Sequence, residues 1–274
     1  MSDKTPQICA AVPGPKSQAW VDRLALHECP AITARRARRA QSLGTAQDDP
    51  IVWASAKGCT VQDVDGNRYL DLTAGFGVAS VGHAHPAVVA AAKTQLDTLV
   101  HVMGDAYPET QRVRLLEQLS DKTGLARTIL GSSGSDAVEA ALKTARMATG
   151  RDKVVAFTGG YHGLSYGALQ ATGYLKHQFR APFQGQLGTH VTHAPWGGEI
   201  PDLSEVGAVI VEPIQGRGGV RVPPTGWLKA LQDAAHAAGA LFILDEIYTG
   251  FGRTGSWFAF QDLGLSPDLV CLGK

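Results

Sequence analysis

Two residues that could do chemistry each follow a short apolar segment near the end of the chain. Asp245 directly follows segment 241–244, and Lys274 follows segment 269–272 and one glycine. Each segment is typical of a buried strand. Ligands of open α/β sheets bind beyond the carboxyl ends of parallel strands. The spacing therefore predicts that a carboxylate and an amine lie in one ligand-binding crevice.

This pair of groups suits pyridoxal phosphate. A lysine amine forms a Schiff base with the aldehyde of that cofactor, and a carboxylate keeps the pyridine nitrogen protonated so that the ring accepts electrons. We therefore predict that Lys274 bonds the cofactor and that Asp245 holds its ring nitrogen.

A segment rich in glycine and serine, residues 131–136, lies between a predicted strand, 128–130, and a predicted helix over about 135–149. Glycines expose backbone N–H groups and a helix N-terminus adds partial positive charge, so the segment suits a phosphate. A plain strand–helix turn, capped by serine and aspartate, fits the same residues. The segment lacks the lysine of a P-loop, which argues against a nucleoside triphosphate.

Two further candidates follow predicted strands. Tyr161 lies close to glycines on both sides, where its ring could cover a planar ligand, although packing within a loop is the simpler interpretation. Glu212 follows strand 208–211 and precedes a proline, and it either faces the crevice or is a surface acid. Neither residue alone decides between its two interpretations.

Residues 250–255 match the dinucleotide motif G-x-G-x-x-G, but we reject an NAD site. That motif needs its glycines directly after a strand and a helix directly after the glycines. Here segment 245–249 intervenes, and segment 256–260 is a poor start for a crossover helix.

The patterns that position these residues predict alternating strands and helices. An N-terminal arm with an arginine-rich run, 34–40, is interpreted as a solvated helix face rather than a nucleic-acid site. After it the chain predicts a hairpin with its turn at 65–67 and a glycine-rich loop at 75–78. Helices are predicted from Pro86 to about 99, from about 109 to Gly124, and at about 135–149 and 226–238. Strands are predicted at 51–53, 59–64, 68–72, 128–130, 154–157, 208–211, 241–244 and 269–272.

Composition narrows the class of protein. Lys+Arg and Asp+Glu each number 25, so no net field favours nucleic acid or an anionic membrane. Charged residues are 18%, hydrophobic residues are 44% and glycines number 32, which favours a parallel sheet with helices on both faces. Four cysteines without C-x-x-C spacing, and no apolar run of membrane length, predict a cytoplasmic protein.

His83 and His85 lack a nearby carboxylate or cysteine cluster, so no metal site is expected.

Taken in their order along the chain, the motifs described above resemble those of the class III aminotransferases, a group of fold-type-I pyridoxal-phosphate enzymes. The resemblance covers residues 50–274 and is closest to 4-aminobutyrate and ornithine-type ω-amino-acid transaminases. It implies a mainly parallel α/β domain over 73–274, preceded by an arm and small-domain segment over 1–72. It is carried by five motifs: Gly82-His83, 133–139, 161–163, 212–216, and 245–247 with a Gly-Arg-Thr-Gly tail.

The same resemblance implies a role for each site residue. Gly134 and Ser135 would hold the phosphate, and Tyr161 and Ile247 would cover the two faces of the pyridine ring. Lys274 would be the Schiff-base lysine and would carry the proton of the 1,3-shift. The other expected contacts are His162, Asp245 and Tyr248 for the cofactor, and Glu212 and Phe76 for the substrate.

The implied reaction is a ping-pong transfer of an amino group from an ω-amino acid or amine to 2-oxoglutarate or pyruvate, in a homodimer. An aminomutase or racemase of the same fold, or an inactive cofactor-binding fragment, stays open. Arg217 stands where some 4-aminobutyrate enzymes carry an acid, which weakens that particular assignment of substrate.

Members of the family continue past the lysine. Their next strand inserts between the first and sixth strands, and a small domain supplies an arginine that binds the substrate carboxylate. These parts do not follow Lys274 in the sequence, so we expect the chain to be a segment of a longer enzyme lacking its C-terminal small domain. Two strand edges would then be exposed.

Overall fold

The computed structural model describes residues 6–32, 41, 44, 50–104 and 106–274. The chain forms two compact units, 1–101 and 102–274. The arginine-rich run 34–40 lies outside the described residues, and the predicted domain boundary at 72/73 stays a prediction. Every helix within the described part of the chain is too short or too polar to cross a membrane.

The first unit contains a three-stranded antiparallel sheet in the order β1-β2-β3. The predicted hairpin turn lies between β2 and β3, where the Asp63 carboxylate accepts hydrogen bonds from the Asp65 and Asn67 N–H groups at 3.0 and 2.8 Å. β2 and β3 are shorter than the predicted strands 59–64 and 68–72, whereas β1 begins at Trp53 rather than at residue 51 and extends beyond the predicted end at residue 53. The elements of this unit are α1 (Pro15–His27), β1 (Trp53–Lys57), β2 (Thr60–Asp63), β3 (Arg68–Leu70), α2 (Ala74–Gly77) and α3 (Pro86–Thr98).

The short element α2 is the predicted glycine-rich loop. Four successive residues, Ala74 to Gly77, have positive φ angles of 50°, 56°, 65° and 85°. Two of them are not glycine, and L-residues rarely adopt this left-handed conformation. The backbone here is held by the Asp71 carboxylate, which accepts hydrogen bonds from the N–H groups of Thr73 and Gly75 at 2.9 and 2.7 Å.

The second unit is built on a five-stranded parallel sheet in the order β5-β4-β6-β7-β8. The strands are β4 (Lys153–Phe157), β5 (Val191–Ala194), β6 (Val206–Val211), β7 (Leu241–Asp245) and β8 (Leu269–Cys271). The helices are α4 (Thr110–Thr123), α5 (Gly134–Thr149), α6 (Tyr166–Ala171), α7 (Lys176–Phe179), α8 (Trp227–Ala237) and α9 (Ala259–Asp262), with a 3₁₀ turn at Ala181–Phe183. The sequence patterns did not predict β5, α6, α7 or α9.

Helices cover both faces of this sheet, as predicted. Every residue of β6 is buried, because successive side chains point to opposite faces and both faces carry a helix. Ile210 packs in a cluster with residues of α5, whereas Val209 packs in a cluster with residues of α8. The carboxyl ends of the strands are therefore the free edge where loops can form a site.

The predicted strand at 128–130 is wrong. This segment has no regular secondary structure, and Ile129 and Leu130 are 69% and 41% exposed. A strand needs a neighbour for its backbone N–H and C=O groups, and no strand of the described residues pairs with this segment. Within the described residues, β5 and β8 are the two edge strands of this sheet, because each pairs with a strand on one side only.

Candidate active site

A cavity of about 310 Å³ lies beyond the carboxyl ends of β4, β6, β7 and β8. Nine of its twelve lining residues are predicted site residues: Gly134, Ser135, Tyr161, His162, Glu212, Asp245, Ile247, Tyr248 and Lys274. The tertiary structure therefore brings together motifs that are up to 140 positions apart, from 134 to 274. Phe76 belongs to the first unit, where it is 54% exposed, and its substrate role stays a prediction.

Three lining residues were not predicted: Gly163, Leu164 and Ser165. The Ser135 hydroxyl connects them to α5, because it accepts hydrogen bonds from the N–H groups of Leu164 and Ser165 at 3.2 and 3.1 Å. A Cβ atom on Gly163 would lie 2.3 Å from that hydroxyl oxygen, so only glycine fits there. The signal in the sequence was this glycine, two positions after Tyr161.

The first turn of α5 forms one end of the cavity. Its N-cap Ser133 accepts a hydrogen bond from the Asp136 N–H at 3.2 Å. A Cβ atom on Gly134 would lie 2.8 Å from Cδ1 of Ile247, so the glycine lets the helix start approach the loop after β7. Because the first turn of a helix leaves N–H groups without intrahelical partners, this end of the cavity suits an anion such as phosphate.

Asp245 is the last residue of β7 and is buried beside His162. One carboxylate oxygen lies 2.7 Å from Nδ1 of His162, and the other accepts a hydrogen bond from the Ile247 N–H at 3.1 Å. Burial by itself lowers the pKa of His162, but the hydrogen bond to Asp245 and the charges of Asp245 and Glu212 raise that pKa overall. His162 thus fixes the orientation of the carboxylate, and the raised pKa of His162 favours the protonated imidazole beside it.

Glu212 is buried, which excludes the surface-acid interpretation. Its carboxylate accepts hydrogen bonds from the N–H groups of Tyr161 and Gly216 at 3.0 and 3.2 Å. Burial, assisted by the charge of Asp245, raises the pKa of Glu212 to about 7. The side chain therefore positions the Tyr161 loop and can gain or lose a proton near neutral pH.

The Lys274 amine lies over the ring of Tyr248, with Nζ 4.3 Å from the ring centroid. Burial and the charge of Arg217 lower the pKa of Lys274, against the opposing charges of Asp245 and Glu212. A lowered pKa increases the fraction of neutral amine, which is the nucleophilic form.

These groups fit pyridoxal phosphate by their chemistry. The cavity has a helix N-terminus for a phosphate, a carboxylate for a ring nitrogen and an amine for an aldehyde. Its lining also includes an aromatic ring, Tyr161, and a branched apolar side chain, Ile247. Its volume lies at the lower end of the roughly 300–1,000 Å³ of small-molecule pockets.

Comparisons with known proteins agree with this arrangement. The family model of class III aminotransferases matches residues 44–274. Acetylornithine aminotransferases from Methanosarcina acetivorans and Methanopyrus kandleri are 41% and 42% identical to this chain, each over 82% of it. Those matches cover 57% and 58% of the relatives, so the chain spans somewhat more than half their length.

Solved structures share the fold. Taurine:2-oxoglutarate aminotransferase from Bifidobacterium kashiwanohense, in complex with pyridoxal phosphate and glutamate, matches with a TM-score of 0.75 and 28% identity over 82% of this chain and 57% of that one. An (S)-enantioselective ω-transaminase from Thermomicrobium roseum matches with a TM-score of 0.74 and 30% identity over 81% and 56%. Pyridoxal phosphate is the cofactor of the matched family.

Proposed function

Because this chain belongs to the class III aminotransferase family, we propose that the protein is a transaminase that moves an amino group from an ω-amino acid or amine to a 2-oxo acid. The predicted family and the pyridoxal-phosphate transferase fold are confirmed by the matches above. The observation that carries the proposal is the placement of the Lys274 amine and the Asp245 carboxylate in one cavity with the start of α5.

Eight of the lining residues then have a proposed role toward the cofactor. Gly134 and Ser135 would hold the phosphate, Tyr161 and Ile247 would contact the ring faces, and Asp245 would hold the ring nitrogen. His162 and Tyr248 would support Asp245 and Lys274 respectively. When bound, pyridoxal phosphate supplies an electron-accepting ring and an aldehyde for the lysine.

The chain's own residues would manage the protons. Lys274, with its lowered pKa, would take a proton from the donor carbon and return it at a neighbouring position. Glu212, with a pKa of about 7, would face the substrate and adjust its charge to the bound molecule. A donor half-reaction followed by an acceptor half-reaction gives the expected ping-pong order.

The relatives narrow the donors worth testing. The two curated relatives named above are acetylornithine aminotransferases, so N-acetylornithine is the first donor to test, with 2-oxoglutarate and pyruvate as acceptors. A homodimer and a cytoplasmic location stay predictions.

Lys274→Ala in the full-length protein tests the proposal. We expect turnover to fall about 10³-fold or more, because the group that bonds the cofactor and carries the proton is removed. The measurement is formation of the aldehyde or 2-oxo product by mass spectrometry. Lys229→Ala, which removes an exposed lysine of α8 that pairs with Asp233, is the matched control and should keep full turnover.

Three outcomes separate the alternatives. Full turnover by Lys274→Ala would overturn the proposal. Isomerised amino acid without a released oxo product would indicate an aminomutase or racemase. Cofactor binding by the wild-type protein without any product would indicate an inactive binding protein.

A further inference from the structure

Arg217 lies in a tightly fixed loop directly after the buried Glu212. Gln215 and Arg221 exchange two backbone hydrogen bonds of 3.0 Å, which closes the loop. Inside it, the Gly216 carbonyl accepts hydrogen bonds from the N–H groups of Gly219 and Val220 at 3.2 and 3.1 Å. The backbone that carries Arg217 is therefore held in one conformation.

Three aromatic rings surround the guanidinium of Arg217. Its Cζ atom lies 4.2 Å from the ring centroid of Tyr161, 5.7 Å from that of Tyr174 and 5.9 Å from that of Phe179. The rings also contact one another, with centroids 6.1–6.4 Å apart. Such a cage favours a cation and restricts its side-chain conformations before any ligand binds.

The cage adjoins the cavity. Tyr161 belongs to both, and Gly216 packs so closely on Tyr248 that a Cβ atom would lie 3.1 Å from the ring. The charge of Arg217 also acts on the cavity, since it contributes to the lowered pKa of Lys274. Arg217 and Lys274 are thus two cations close to the same cavity, alongside the carboxylates of Asp245 and Glu212, and a carboxylate of a bound ligand would be attracted by both cations.

A guanidinium stacked on a ring keeps its N–H groups in its own plane, where a carboxylate can accept two of them. The neighbouring arginine of the same loop differs. Arg221 lies over Trp196 at 5.0 Å and donates a hydrogen bond to the side-chain oxygen of Gln215 at 3.3 Å. The Arg221 side chain therefore lies against Trp196 and Gln215, whereas the Arg217 side chain lies in the cage beside the cavity.

We propose that Arg217 binds the carboxylate of the substrate, so that the site prefers amino acid donors and 2-oxo acid acceptors over amines without a carboxylate. This inference rests on the proposed function, because it assigns the substrate's amino group to the Lys274 end of the cavity.

The test uses glutarate, an unreactive dicarboxylate, and isothermal titration calorimetry on the full-length protein with and without pyridoxal phosphate. Arg217→Met keeps most of the volume of the side chain and removes its charge and N–H groups. We expect it to weaken glutarate binding about 10-fold or more, the range of a charged hydrogen bond. Arg217→Lys keeps the positive charge but loses the paired N–H groups of the guanidinium, so its affinity for glutarate should lie between those of the wild type and Arg217→Met. Arg221→Met, the matched control, should bind glutarate like the wild type.

A second arm uses reactivity. With a donor pair of equal chain length, one bearing a carboxylate and one not, Arg217→Met should raise KM for the carboxylate donor alone. Equal glutarate affinity in Arg217→Met and wild type, or no glutarate binding by wild type, would overturn the inference. Absence of product from wild type would instead count against the proposed function, so the two failures are distinguishable.

Discussion

An aspartate and a histidine are hydrogen-bonded in each of the two units. In the first unit Nε2 of His83 lies 2.8 Å from Asp71, and in the second Nδ1 of His162 lies 2.7 Å from Asp245. The residue types and the distances nearly coincide. What differs is the surroundings: the His83 side chain is 19% exposed, whereas the His162 side chain is 1% exposed.

The two carboxylates also have different further partners. Asp71 accepts hydrogen bonds from the Thr73 and Gly75 N–H groups, and the hydrogen bond from His83 is the main cause that holds its pKa well below the usual range. Asp245 instead ends a buried strand and lines the cavity. The same aspartate–histidine pair therefore fixes a backbone turn in the first unit and holds a carboxylate at the cavity in the second.

The largest expected difference between the pairs concerns activity. Asp245→Asn should lower turnover about 10³-fold or more, because an amide cannot hold a protonated ring nitrogen by charge. Asp71→Asn, the matched control, should lower it less than about 10-fold, because it acts only through the turn. Single-turnover rates measure both, with circular dichroism as a check on folding. Equal losses of turnover in the two variants would contradict the different roles of Asp245 and Asp71.

His162→Gln should lower turnover about 10–100-fold, since removing the orienting partner of a functional group has effects of that size. It should also shift the pH dependence of the absorbance of bound pyridoxal phosphate, which a purely structural role would leave in place. His83→Gln removes the corresponding histidine of the first unit and serves as the control. An unchanged absorbance profile in His162→Gln would show that the histidine only fills space.

The two units should also differ in how stability depends on pH. The pKa of Glu212 is raised to about 7 from 4.5, so the folded state keeps a proton that the unfolded state releases. Stability from this group is complete below pH 4.5 and is lost as pH rises through about 7. As pH rises from 5 to 7.5, the free energy of unfolding of Glu212→Gln relative to wild type should therefore increase by on the order of 2 kcal/mol.

The stability contributed by Asp71 depends on pH with the opposite sign. Its pKa is lowered, so its contribution is present above 3.8 and is lost only as pH falls further. Melting temperatures across the same range should show a constant offset for Asp71→Asn and a growing one for Glu212→Gln. Parallel offsets in both variants would contradict the buried, proton-holding state of Glu212.

The smallest expected effect is local. Asp71→Asn should lower the free energy of unfolding by about 1–2 kcal/mol, because hydrogen bonds to a charged acceptor are weakened. Hydrogen exchange at the Gly75 N–H should become faster, while exchange at the Ile247 N–H should stay slow. Fast exchange at Ile247 would mean that the two pairs are not independent.

Local signals predicted the parts of the fold that depend on near neighbours. The hairpin turn at 65–67, the end of α4 at Gly124 and the buried strand β6 follow from turn residues, a left-handed cap and an apolar run. Segment 128–130 has an equally apolar sequence but forms no strand, because a strand also requires a partner. Pattern alone carries no information on that partner.

For the site, the residue types at the strand ends can be read from local sequence: an aspartate, a glutamate and a lysine beside glycine-rich turns. That was enough to predict the cofactor, because the chemistry depends on those types and on strand ends meeting at one edge. The surroundings of these residues depend on how the whole second unit folds. The tertiary fold buries Glu212, which raises its pKa, and it places three rings of segment 161–179 around Arg217. Desolvation and cation–π contacts depend on groups that are distant in sequence, so no local pattern encodes them.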